Sequence, residues 1–218
     1  ELRVQPEAAP IADARQGTAL WFAMLGDGFA RTPNSSKELA LIFARAAHWL
    51  DASDSFGQLA LAEALVGREQ IAAAMELLQR GEGKLPPGNA FALRRAELLA
   101  EAGDFKAALA AALPDGAAPV DDPIWLTRFA DVARRAGDDA VALQTFDLLL
   151  AQTAANREAA GLRAAVLIAK ADVLVRQNRW PEARVLLDEA VAVDPDDAST
   201  LNYAGYSALE RRDNVPEA

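Results

Sequence analysis

KADVLVRQNRWPEA, residues Lys170–Ala183, is echoed at three earlier places: Leu59–Ala72 (LALAEALVGREQIA), Arg95–Ala108 (RAELLAEAGDFKAA) and Phe129–Ala142 (FADVARRAGDDAVA). Each stretch has a small residue second, a turn former ninth (Gly67, Gly103, Gly137, Asn178) and alanine last. A residue just past a helix C-terminus often takes the left-handed conformation, which Gly and then Asn adopt most easily. The ninth position is therefore expected to end a first helix. Ala72, Ala108, Ala142 and Ala183 then fall early in a second helix, where a short side chain lets the paired helix come close. Their counterparts in the first helices are Ala60, Ala96, Ala130, Ala171 and Gly205, separated by 96 − 60 = 36, 130 − 96 = 34, 171 − 130 = 41 and 205 − 171 = 34.

Composition agrees with packed helices. Hydrophobic residues make up 52% of the 218 and aromatics only 6%, so the apolar content is mainly Ala, Leu and Val, which favours helix over sheet. Lys and Arg number 22 against 32 Asp and Glu, and the net charge of 22 − 32 = −10 opposes binding to nucleic acid or an anionic membrane. No stretch approaches the roughly 20 apolar residues of a membrane span, so direct insertion is not expected. The opening Glu1-Leu2-Arg3-Val4-Gln5 reads as neither signal nor transit peptide. Without cysteine there is no disulfide, thiolate zinc site or cysteine nucleophile, while the compartment stays open.

A period near 34 with a helix-turn-helix pattern resembles the tetratricopeptide repeat (TPR) family. The clearest unit runs from Leu167 through Ala171, Leu174, Ala183, Leu187 and Ala190 to Pro195, with an Asp-Pro-Asp-Asp stop at 194–197. Two departures stand out: Pro114 cuts a second helix short, predicting a bend or collapse, and seven extra residues (41 − 34) near Asn156–Gly161 are expected to lengthen the helices around them. Leu201-Asn202-Tyr203-Ala204-Gly205-Tyr206-Ser207, followed by Glu210-Arg211-Arg212-Asp213-Asn214, resembles the N-Y-x-G-Y-S stretch of large bacterial TPR proteins, many of them exported or envelope-associated. The resemblance implies an all-α, right-handed solenoid of about five antiparallel helix pairs. It also implies a bacterial scaffold that takes a protein or peptide partner in a concave groove, with a periplasmic or envelope location favoured.

At the N-terminus, residues 1–16 lack a helical stripe and are expected to be extended or frayed. Residues 17–52 read as a degenerate first pair, with helices over Thr18–Ala30 and Ser36–Leu50. A capping box at Ser35-Ser36-Lys37-Glu38 opens the second of them, and Leu39, Ile42, Phe43, Ala46, Ala47 and Leu50 form its expected buried face. TPR-like repeats occupy 53–218. The last is incomplete, because Asn214-Val215-Pro216-Glu217-Ala218 stops where its second helix should start. The expectation is a piece of something longer, able to pair with another copy through its uncovered terminal helix.

Chemistry is hard to build from these residues. His48 is the only histidine and has no second imidazole or thiolate to join it as metal ligand or base. The acidic turns at 51–54, 121–122 and 194–197 lack the alternating ligand pattern of a calcium loop; Asp122 before Pro123 reads as an N-cap followed by a first-turn proline. Gly81-Glu82-Gly83-Lys84 has Leu85 where a phosphate loop needs Ser or Thr, and Pro86-Pro87-Gly88 follows as a flexible connection. No Gly-x-Ser-x-Gly elbow exists, and Trp21, Trp49, Trp125 and Trp180 are too scattered for a stacking platform. No catalytic residue, metal or cofactor is expected.

By the resemblance, polar side chains on successive first helices face the groove: Arg94 and Glu97, Arg128 and Asp131, Asp172 and Arg176, Asn202 and Tyr206. Arg94, Arg128, Asp131, Asn202 and Tyr206 are the candidate partner contacts. The competing reading pairs these charges with one another across neighbouring helices. Self-assembly through the ends, or service as a non-catalytic arm of a larger enzyme, are the alternative roles.

Overall fold

The computed structural model describes residues 11–83, 85, 89–113, 121–154 and 156–211. The expected extended segment over 1–10, the connection at 86–88, the Pro114 bend and the unfinished end at 214–218 lie outside the described residues. Eleven α-helices and no strand occur among the described residues. They are α1 (Ala14–Arg31), α2 (Lys37–Leu50), α3 (Ser55–Gly67), α4 (Ile71–Glu82), α5 (Ala90–Glu101), α6 (Phe105–Ala112), α7 (Pro123–Ala136), α8 (Asp139–Thr153), α9 (Ala160–Arg176), α10 (Trp180–Val193) and α11 (Ala198–Glu210). A 3₁₀ turn at Arg157–Ala159 leads into α9.

Short polar side chains open most of these helices. Asp13 accepts from the Gln16 N–H, Asp54 from Gly57, Asp122 from Trp125, Asp138 from Val141 and Asp197 from Thr200, each at 2.6–3.1 Å. These bonds satisfy backbone donors that the first turn leaves without a helical partner. The acidic turns are thus used as caps. Ser36 caps α2 through the Leu39 N–H at 3.2 Å, but Glu38 stands one residue too early to close the expected box. Its carboxylate lies 3.3 Å from the Ser36 hydroxyl and pairs with Arg68. Capping by Asp13 also starts α1 at Ala14, four residues ahead of Thr18.

The turns that close α3, α5, α7 and α9 share one geometry. Gln70, Asp104, Asp138 and Arg179 each donate a backbone N–H to the carbonyl five residues earlier, at 2.9–3.0 Å. The residue before each donor is left-handed: Glu69 (φ 60°), Gly103 (83°), Gly137 (73°) and Asn178 (59°). Three of the four expected turn formers occupy that position, but Gly67 does not; it is the last residue of α3, and Glu69 takes its place. Aligned on the left-handed residues, the spacing is 103 − 69 = 34, 137 − 103 = 34 and 178 − 137 = 41. The small pair of the first unit moves with it, from Ala60 and Ala72 to Ala62 and Ala74. Ala62 is 1% exposed and Ala74 fully buried, whereas Ala72 faces solvent.

The chain forms two compact units, Glu1–Arg95 and Ala96–Ala218, with the boundary inside α5. In the first, α1 meets α2 through small side chains, Ala19, Ala23 and Gly26 on one and Ala40, Ala44 and Ala47 on the other, with Gly26 against Ala44 and Ala23 beside Ala47. Gly26 lies so close that an added Cβ would sit 2.9 Å from the Ala44 nitrogen. Phe43 stacks on Phe22 and Phe29, both at 5.8 Å between ring centroids. The buried face of α2 is therefore rotated from the expected one, leaving Leu39 and Ile42 exposed, because the alanines allow the closest approach and set the contact line. Helix α3 packs against both α1 and α2 and pairs with α4. Arg95 ties α5 to α4 by a two-pronged pair with Glu82, at 2.7 and 3.0 Å.

In the second unit α7 pairs with α8 and α9 with α10, while α6 packs on α7, α8 on α9, and α11 on α10 and α9. Ala130, Ala142, Ala171 and Ala183 are fully buried at the helix crossings, with Leu126, Phe129, Leu149, Leu167 and Leu187 filling the space between. Trp125 stacks on Phe129 at 4.8 Å. The seven inserted residues become the 3₁₀ turn and an extra turn of α9. That helix starts 178 − 160 = 18 residues before its left-handed residue, against 137 − 123 = 14 for α7.

Candidate partner-binding face

The first helices α3, α5, α7 and α9 repeat an acidic residue six positions before the left-handed turn: Glu63, Glu97, Asp131 and Asp172. Three positions further back stand Arg94, Arg128 and Ala169, and on α11 the equivalent residue is Tyr203. These two positions meet across neighbouring first helices. In the first unit Arg94 grips Glu63 with two N–H donors at 2.8 and 3.1 Å. In the second, Arg128 grips Glu97 at 2.6 and 2.8 Å, and the Tyr203 hydroxyl donates to Asp172 at 3.1 Å. Every one of these pairs is separated by 31 residues.

One rung differs. The insertion and the change to alanine leave Asp131 without an arginine from α9, and Ala169 stands where that arginine would be. Asp131 is paired instead within its own helix, with Arg134 at 2.8 Å and Arg135 at 4.0 Å. Its side chain is 50% exposed, against 19% for Glu63 and 18% for Glu97. Between α7 and α9 an open cleft of about 360 Å³ remains. Its floor is apolar, from Phe146 and Leu149 of α8 and Leu162, Val166 and Ile168 of α9. Thr127, Asp131 and Arg134 stand on one rim, Asp172 and Tyr203 on the other.

The charges around the cleft are interlocked. Asp172 also faces Arg176 at 3.5 Å and Arg134 at 3.8 Å, and Arg176 reaches Asp139 at 3.3 Å. Burial, then the Asp172 charge and the hydrogen bond to it, push the Tyr203 hydroxyl up to about 12. Tyr203 therefore stays a neutral donor throughout the physiological range.

The five expected contact residues fall in different settings. Arg94 belongs to the first unit, and it and Arg128 are engaged by the glutamates of the preceding helices, the arrangement of the competing reading. Asp131 lines the cleft. Asn202 and Tyr206 line a separate groove of about 620 Å³ between α10 and α11, together with Trp180, Leu187, Leu201 and Leu209. Arg211 covers the Trp180 ring there, 4.8 Å from its centroid. Sequence reasoning missed the cleft itself. Its signal was the alanine at 169 beside a seven-residue insertion, in a column that holds Arg94 and Arg128 on the two helices before it and Tyr203 on the one after.

Among the described residues no three His, Cys, Asp or Glu side chains gather as a metal site would require, and no helix is long and apolar enough to cross a membrane. His48 Nδ1 and Trp125 Nε1 are buried atoms without a hydrogen-bond partner.

No protein-family model matches the sequence, and no curated protein matches it. Solved structures do share its fold. Pseudomonas aeruginosa PilF superposes with a TM-score of 0.67 at 20% identity, covering 94% of this chain and 89% of its own. The C-terminal part of a TPR repeat-containing protein from Cytophaga hutchinsonii gives 0.64 at 13% identity, covering 93% and 87%. YrrB, a TPR protein with an unusual peptide-binding site, gives 0.55 at 17% identity, covering 84% and 90%. The fold is the all-α solenoid of TPR proteins.

Proposed function

We propose that this chain is a non-catalytic scaffold that takes a partner polypeptide on the face made by its first helices. The observation that carries this reading is the open, apolar-floored cleft between α7 and α9, rimmed by Asp131, Asp172 and Tyr203. A fold also used by the peptide-binding YrrB supports it. In this reading Asp131 touches the partner directly, while Arg94 and Arg128 act by holding neighbouring first helices in register. Asn202 and Tyr206 extend the contact along α11.

Selection from a displayed library of random short peptides tests the proposal, with bound peptides mapped by amide chemical shifts. The expected outcome is perturbation of Thr127, Ala165 and Ile168. Perturbation confined to residues of α8 and α10 facing away from α9 would overturn it.

A second reading has its own observation. The groove between α10 and α11 exposes Leu201, Tyr206 and Leu209, each at least 46% accessible, which suits association with another copy. Sedimentation equilibrium separates the two. A mass that rises with concentration, and falls back in Leu209→Lys, assigns that groove to assembly; a constant monomer that retains selected peptides assigns function to the first-helix face.

A further inference from the structure

Resting on the peptide-binding reading, we propose that the cleft between α7 and α9 is a socket for one arginine side chain of the partner, which supplies the guanidinium missing from the Glu63, Glu97, Asp131 column. At the two preceding rungs the chain provides that group itself, as Arg94 on Glu63 and Arg128 on Glu97, both with two-pronged geometry. At the third rung the equivalent residue is Ala169, and the space an arginine would fill is open to solvent. The requirement at Asp131 is met from within its own helix, by Arg134 at 2.8 Å and Arg135 at 4.0 Å, exposed pairs of a kind worth little in water.

An arginine fits the cleft in both of its parts. Its methylene stem can lie on Leu162, Val166 and Ile168, and its planar head can meet Asp131 with two parallel donors. Lysine presents a compact ammonium without that fork and is expected to bind more weakly. The net charge of −10 favours a cationic partner at longer range. Asp172, engaged by Tyr203, by Arg176 at 3.5 Å and by Arg134 at 3.8 Å, closes the far rim, so an incoming head must displace Arg134 from Asp131 to settle there.

The experiment uses the full 218-residue chain with N-acetyl-arginine amide as the probe and its neutral isostere N-acetyl-citrulline amide as control. Saturable amide shifts are expected at Thr127, Asp131 and Ala169 with arginine, and about tenfold weaker binding with citrulline, the size of one charge-assisted bond lost. Asp131→Asn, an isosteric change at a half-exposed site, should reduce arginine binding to the citrulline level. Ala169→Arg should abolish it by filling the socket from within.

Equal response to the two probes, shifts located elsewhere, or an unchanged response in Asp131→Asn would overturn the proposal. Selected peptides that still map to Thr127 and Ile168 in that event would leave the scaffold reading standing. If arginine binds as expected while no displayed peptide does, the socket stands and the wider reading falls.

Discussion

Glu69 is the residue whose conformation is least suited to its side chain. At φ 60° it holds the left-handed position that Gly103, Gly137 and Asn178 occupy in the other repeats. A side-chain-bearing residue there is strained by roughly 1–2 kcal/mol, part of which the greater unfolded freedom of glycine returns. Glu69→Gly is expected to raise stability by about 0.5–1 kcal/mol in urea unfolding. No gain would place the strain elsewhere. Tyr203 gives a second prediction at this scale. Its native pKa of about 12 lies above the ordinary 10.0, so the folded state keeps a proton that the unfolded state releases. Stability should then fall as pH climbs from about 10 towards 12, and be unaffected by this group below 10. In an ultraviolet phenolate titration, Tyr203→Phe should remove the highest tyrosine transition and leave that of Tyr206. Retention of that transition would refute the assignment. The left-handed glycines were legible from sequence because the preference is local. Glu69 was not, because no propensity places a glutamate there.

Helices here are joined by small residues more than by large ones. Gly26 and Gly28, two positions apart in α1, differ in what surrounds them. A Cβ on Gly26 would press on the Ala44 backbone at 2.9 Å, while one on Gly28 would meet nothing within 4 Å. Gly26→Ala should destabilise by about 1–3 kcal/mol, since backbone cannot rotate away as a side chain does. Gly28→Ala should stabilise by about 0.5–1 kcal/mol through helix propensity. Thermal unfolding of the two variants checks the pair, and shifts of the same sign would refute the packing account. The alanine columns of the first and second helices were readable as a period, and the acidic N-caps as a type. Which large side chains turn outward was not. Leu39 and Ile42 read as core from their spacing alone, yet the contact line runs through Ala40, Ala44 and Ala47. Spacing fixes a stripe on one helix, whereas the buried stripe is the one a neighbour can approach most closely.

Across the whole molecule the surplus of ten negative charges sets the long-range preference for a partner. Capture of a peptide selected on this chain should weaken several-fold as salt rises from tens to hundreds of millimolar, because the Debye length shrinks from about 30 Å at 0.01 M to about 8 Å at 0.15 M. Salt-independent capture would mean that apolar contacts alone hold the partner. The helical class, the repeat near 34 and the turn positions after α5, α7 and α9 were determined by the sequence by itself, since capping, left-handed turns and alanine spacing act within one helix or one turn. Tertiary structure alone decided the pairing of Arg94 with Glu63 and Arg128 with Glu97, and the cleft left where Ala169 breaks that column. Those features depend on which side chains meet across helices 31 residues apart, and that distance is closed only when the hairpins pack.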